Sequence, residues 1–134
     1  MAKAKAAKAE LGNVAIRWRK DVAEHDYAAA HAYLSIGLDQ QRASKIVAQL
    51  RKAKLTKRRA NDILRAAGLD AAPLADPGVI KDVIKVMEGD ELSPVLVVSG
   101  GDRADIADGF HRVSLVYRVD PYGEVPLRLA NSGK

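Results

Sequence analysis

The chain has no cysteine, which excludes disulfides, thiolate metal sites and thiol chemistry. Aromatic residues are few, and Trp18 and Phe110 are each the sole residue of their kind. No apolar run reaches the ~20 residues that a membrane-spanning helix needs, so no membrane partner and a cytoplasmic location are expected. The start, Met1 to Glu10, has basic residues but no apolar stretch behind them and does not read as a secretory signal. Acidic residues are scarce in the first half. Residues 1–68 carry 15 Lys/Arg against 6 Asp/Glu, a net +9, whereas residues 69–134 carry 7 against 11, a net −4. A basic half beside an acidic one points to a polyanion, nucleic acid, as partner of the first half. The equal alternative is a solvated face on an alanine-rich helical segment.

What is present is a chain of 134 residues, 48% apolar, enough for one core with a helical appendage. Residues 1–12 alternate alanine and lysine without an apolar stripe and read as a flexible basic arm. Residues 13–68 read as a basic helical region of about three helices. The first runs from Val14 to Gly37, with Ile16, Trp18, Val22, Tyr27, Ala30 and Leu34 at helical spacings. His25 and His31 are six apart, too far to share a helix face as metal ligands. Asp39 caps a second helix from Gln40 to about Ala53, with Ala43, Ile46, Val47 and Leu50 facing in. After a short turn, Lys57 to Ala67 reads as a third helix, capped by Thr56 and ended by Gly68.

That helix pair fits a helix-turn-helix as well as a plain helical hairpin. Lys54, Lys57, Arg58 and Arg59 at the start of its second helix are the candidate nucleic-acid contacts. Residues 69–78, with two prolines and a glycine at the change of charge sign, read as a linker. Residues 79–134 read as a small α+β unit. It comprises a helix with the stripe Val79, Ile80, Val83, Ile84 and Met87, a strand at Val95–Val98, and a strand at Ala104–Ala107. A helix from about Phe110 to Val119 follows, then a strand at Val125–Leu129, placed at a sheet edge because of Pro126.

The densest chemistry lies where strand turns into helix, in Ile106-Ala-Asp-Gly-Phe-His-Arg112. Gly109 lets backbone approach a ligand closely. The first turn of the helix after it offers N–H groups and the favourable end of a dipole to an anion. Arg112 adds a bidentate binder of phosphate or carboxylate. The phosphate-binding candidates are therefore Gly109, His111 and Arg112, and the catalytic candidates are Asp108 and His111. Asp108 serves equally well as a helix cap, and His111 with Arg112 as a structural pair tying strand to helix.

In order and spacing, the glycine-ended helix, Ser93-Pro-Val-Leu-Val-Val98, the Asp108-Gly109-x-His111-Arg112 turn and Glu124-Val-Pro-Leu-Arg128 resemble the ParB/sulfiredoxin-like superfamily. The resemblance covers residues 76–130. ParB-type domains have Gly-Glu-Arg-Arg at the turn, sulfiredoxins Gly-Cys-His-Arg, and the related free-serine kinases Asp-Gly-His-His-Arg. It implies a mixed sheet with helices and a nucleotide, bound with Mg2+ in the kinases, whose phosphate is held by Gly109, His111 and Arg112. Phe110 replaces the sulfiredoxin cysteine, so sulfinic acid reduction is excluded, and Phe110-His111 replaces the ParB Glu-Arg pair. The kinase relatives need further carboxylates, for which Glu88, Asp90 and Glu91 are candidates. Two functions are expected: a ParB-like, nucleic-acid-associated binding protein with a nucleotide site, or a small Mg2+-dependent phosphotransferase or nucleotide hydrolase using Asp108 and His111.

Overall fold

The structure, a computed structural model, describes residues 10–11 and 14–132. The arm expected over residues 1–12 therefore lies outside the described residues, apart from Glu10–Leu11 (β1), which pair antiparallel with Val14–Ala15 (β2). The remaining elements are α1 (Glu24–Gly37), α2 (Gln40–Lys52), β3 (Thr56–Arg59), α3 (Ala60–Ala67), α4 (Pro77–Met87), β4 (Val95–Gly100), β5 (Arg103–Asp108), α5 (Phe110–Val119) and β6 (Glu124–Asn131). The fold is α+β, as expected, with a four-stranded mixed sheet ordered β3-β6-β4-β5.

The sheet has apolar residues on both faces, which explains the unbroken run Val95-Leu-Val-Val98. Val95 and Val97 join Val125, Leu127 and Ile106 in a core with α3, α4 and α5. Leu96 and Val98 point the other way, into a second core with Tyr27, Ala30 and Leu34 of α1 and Ile46, Val47 and Leu50 of α2. Helices thus cover both faces. Arg128 of β6 anchors α2 to the sheet by donating to the carbonyls of Arg51 and Ala53 at the helix C-terminus, where a cation also meets the favourable end of the dipole.

Five expectations need correction. The helix placed at 14–37 begins only at Glu24. Val14, Ile16 and Trp18 follow the period of an extended chain, and Trp18 bridges Leu92 while Arg19 N–H donates to the Leu92 carbonyl at 2.8 Å. The helix placed at 57–67 begins at Ala60, because Thr56–Arg59 pair antiparallel with Glu124–Leu127 of β6. No helix-turn-helix forms: α2 and α3 lie on opposite faces of the sheet. β6 is not an edge; it lies between β3 and β4, and Pro126 is tolerated because the parallel ladder with β4 begins only at Leu127. Finally, residues 69–76 are a loop, not a divide between units, since β3 before it and β4 to β6 after it share one sheet. That loop is pinned to α5: Ala72 N–H donates to the fully buried Ser114 hydroxyl at 3.0 Å, and Arg118 donates to the carbonyls of Ala71 and Ala72.

α4 departs from its expected stripe. Its buried residues are Val79, Asp82 and Val86, while Ile80, Ile84 and Met87 are exposed. A carboxylate therefore occupies a position on the helix's inner face. Among the described residues no helix is long and apolar enough to cross a membrane.

Candidate functional site

The end of β5, the start of α5, the start of α1, the lead into β4 and one side of α4 enclose a cleft of about 440 Å³. The strand-to-helix turn forms its wall as the sequence suggests. Gly109 sits at φ 111°, a conformation that side-chain-bearing residues rarely adopt. A Cβ there would lie 2.8 Å from Val95 and 3.1 Å from Arg112 Nη2, so glycine is required by both conformation and space. Gly109, not Asp108, is the N-cap of α5, and no side chain caps that first turn. Asp108 is thus not the cap that the sequence allowed. α4 is different, because Asp76 accepts from Gly78 and Val79 and closes its N-terminus.

Arg112 is drawn inward. Its side chain is 12% exposed and donates to Asp108 Oδ2 at 2.6 Å, Asp26 Oδ2 at 3.0 Å and the Ser93 carbonyl at 2.6 Å. It joins β5, α1 and the lead into β4 at one point. Burial raises the Asp26 carboxyl, but the hydrogen bond with Ser93 and the charge and hydrogen bond of Arg112 outweigh it, leaving a net downward shift. At Asp108 burial wins over Arg112, and the neighbouring Asp26 adds to it, so this carboxyl is raised. Arg112 meets both carboxylates; they differ because Asp26 also has the Ser93 hydrogen bond, whereas at Asp108 the like charge of Asp26 adds to burial.

His111 lies across the mouth of the cleft with Nε2 3.2 Å from Asp76 Oδ2, and its ring rests against Gly78, where a Cβ would come within 2.7 Å. Gly78 is therefore a close-approach glycine that sets the spacing of α4 and α5. The exposed cations Arg19, Lys81 and Lys85 line the same opening, and Phe110 and Leu92 supply apolar wall. Three carboxylates line it as well: Asp26, Asp82 and Asp108. Asp82 is 8% exposed. Unlike the other two it has neither a hydrogen bond nor an ion pair, and burial raises its carboxyl despite the attraction of Arg112, Lys85, His111 and Lys81. Glu88, Asp90 and Glu91 do not reach the cleft; all are exposed, and Glu91 lines a separate groove beside Trp18. No three His, Asp or Glu side chains among the described residues are grouped to hold a metal ion.

The residues singled out from the sequence, Asp108, Gly109, His111 and Arg112, are brought together at this cleft, whereas Asp26, Asp82, Ser93, Arg19, Lys81 and Lys85 were not anticipated there. A signal existed for Asp82, because positions 79, 82 and 86 share one helical face and a carboxylate between two valines is anomalous there. None existed for Asp26, whose partner Arg112 is 86 positions away.

The other candidate residues lie elsewhere. Lys57, Arg58 and Arg59 are exposed along β3, an edge strand of the sheet, with exposed Lys54 just before it. Arg58 donates to the Thr56 hydroxyl and the Lys57 carbonyl, and Arg59 stands 5.7 Å from the centre of the Tyr122 ring. Comparison of the chain with family models, with curated proteins and with solved structures returned no match.

Proposed function

We propose that this protein binds a phosphate ester, a nucleotide in the first instance, in the cleft at the start of α5. The observation that carries this reading is the uncapped first turn of α5, which opens at Gly109 into a cleft rimmed by Arg19, Lys81, Lys85 and His111. Backbone N–H groups, the dipole end and exposed basic side chains together suit an anion. The volume falls within the range of small-molecule sites, and Phe110 offers an apolar wall. The order of elements from α4 to β6, with the Asp-Gly-x-His-Arg turn between β5 and α5, supports a ParB/sulfiredoxin-like arrangement, in which this turn faces a nucleotide phosphate.

Arg112 takes a different part in this reading from the one its sequence position suggests. Its donors are directed at Asp26, Asp108 and a carbonyl, so it positions the turn, and phosphate contacts fall to the backbone, Lys81, Lys85, Arg19 and His111. Commitment of Asp26 and Asp108 to Arg112 also favours binding over phosphoryl transfer, since the most obvious base is already paired. Mg2+ would enter with the nucleotide, held chiefly by phosphate oxygens. The test is a thermal-shift panel of ATP, ADP and CTP, each with and without Mg2+. A nucleotide present at about 100 times its Kd adds about 2.7 kcal/mol to stability and raises Tm by several degrees. Unchanged Tm with every nucleotide overturns the reading.

A second reading concerns nucleic acid, and the exposed row Lys57-Arg58-Arg59 on an edge strand favours it. Such a row meets phosphate backbone without base specificity. Mobility-shift titrations should then give an affinity that falls steeply as salt rises, and absence of a shift at low salt ends this reading.

A further inference from the structure

The cleft contains one group that phosphate binding does not use. Asp82 projects from the inner face of α4 between Val79 and Val86, is more than nine-tenths buried, and lines the cleft. The two other carboxylates there are satisfied by Arg112, whereas Asp82 has no hydrogen bond or ion pair with any described residue. Its oxygens are not sealed in the core but remain accessible from the cleft. A carboxylate without a partner in the chain, on a helix position suited to valine and reachable from the cleft, is placed to meet a donor on a bound ligand.

The surroundings select the partner. A second anion would be repelled by Asp82 itself. An ammonium group would meet Lys81, Lys85, His111 and Arg112, all of which act on this carboxyl, and like charges at short range are unfavourable. A neutral donor meets neither objection. We propose that Asp82 accepts a hydrogen bond from a hydroxyl group of the ligand, so that the site selects hydroxyl-bearing phosphate esters, as in a sugar phosphate or the ribose of a nucleotide, over phosphate esters without a hydroxyl. This rests on the phosphate reading above and adds the specificity element to it. The phosphate is held at the α5 turn and the α4 lysines, and the sugar hydroxyl meets Asp82 deeper in the cleft.

The experiment is calorimetric titration of the wild-type chain, Asp82→Asn and Asp82→Ala with three probes: inorganic phosphate, ribose 5-phosphate, and tetrahydrofurfuryl phosphate, which keeps the oxygen-containing ring and the phosphate but has no hydroxyl. A hydrogen bond to a charged acceptor corresponds to a preference of about tenfold or more for ribose 5-phosphate over the hydroxyl-free ester in the wild type. In Asp82→Ala that ratio should fall to about one, with Asp82→Asn between them because its amide oxygen still accepts, while inorganic phosphate binds all three proteins. Inorganic phosphate binding to the wild type with no preference between the two esters overturns the role of Asp82 and leaves the phosphate site standing. So does a preference that survives in Asp82→Ala. Failure of the wild type to bind any of the three probes overturns the phosphate site and the inference together. Unfolding of Asp82→Ala would be detected by circular dichroism, and the isosteric Asp82→Asn then decides: an undiminished preference in it counts against the proposal.

Discussion

The molecule carries two groups of cations that differ in almost everything but charge. Around the cleft, Arg19, Lys81 and Lys85 line the opening at the uncapped end of a helix, and Arg112 is fixed by two carboxylates. Along the sheet edge, Lys57, Arg58 and Arg59 stand in a row in solvent. Composition cannot separate the two, and it favours the edge, because the edge lies in the basic half of the chain. Their surroundings reverse that weighting. A charge in a recess with oriented N–H groups is screened less and can discriminate between ligands, whereas an exposed row offers attraction that salt weakens within about a Debye length.

The largest expected effect is on the cleft's foundation. Arg112→Ala leaves buried Asp26 and half-buried Asp108 without their shared cation, and breaking a largely buried pair in this way costs about 3–5 kcal/mol. Denaturant titration checks this, and a loss below about 1 kcal/mol would mean that the cleft does not depend on that link. Next comes Gly109→Ala, which combines a left-handed φ with a Cβ 2.8 Å from Val95. The expected loss is about 1–3 kcal/mol by the same measurement. A near-neutral result would show that the turn relaxes freely, and it would remove the argument for a preformed anion site.

Asp82→Asn should act in the opposite direction. Burial raises the Asp82 carboxyl above its ordinary value of 3.8. A raised carboxyl favours the folded state below that ordinary value, and the benefit is lost as pH rises through the folded-state value. At neutral pH the charge is therefore a burden, and the amide should raise Tm, a gain that shrinks on acidification towards pH 3.8. Scanning calorimetry at two pH values tests it, and a Tm that falls at neutral pH would show that the carboxylate is stabilising where it stands. Gain in stability with loss of ligand selectivity is the usual mark of a group retained for binding. The smallest effect belongs to the edge: replacing Lys57, Arg58 and Arg59 with alanine should change stability by less than about 0.5 kcal/mol per site, since no ion pair or buried contact is lost. A larger loss would mean that the row is structural.

Legibility of the chain followed the range of its interactions. Local signals were read well. Asp39 caps α2, Gly68 ends α3 in the left-handed conformation, and α5 spans Phe110–Val119 as its pattern indicates. Failures came where partners distant in sequence decide the conformation. Thr56–Arg59 has helix-forming neighbours and no strand signal of its own; it is extended because β6, some 70 positions later, supplies its ladder. Trp18 likewise is held by Leu92. In the site, the turn was legible because one short segment encodes it, but its electrostatics were not. The guanidinium of Arg112 reads as free in sequence and is occupied in the structure by Asp26, brought there by α1.

The most direct measurement compares the two cationic groups with one ligand panel. Thermal shifts with ATP, ADP and CTP would be recorded for the wild type, for Lys81→Ala/Lys85→Ala, and for Lys57→Ala/Arg58→Ala/Arg59→Ala. The expected result is a nucleotide-induced rise in Tm that is largely lost in the first variant and kept in the second. A rise that persists without the α4 lysines but vanishes without the edge row, or no rise in the wild type, would contradict a phosphate site at the start of α5.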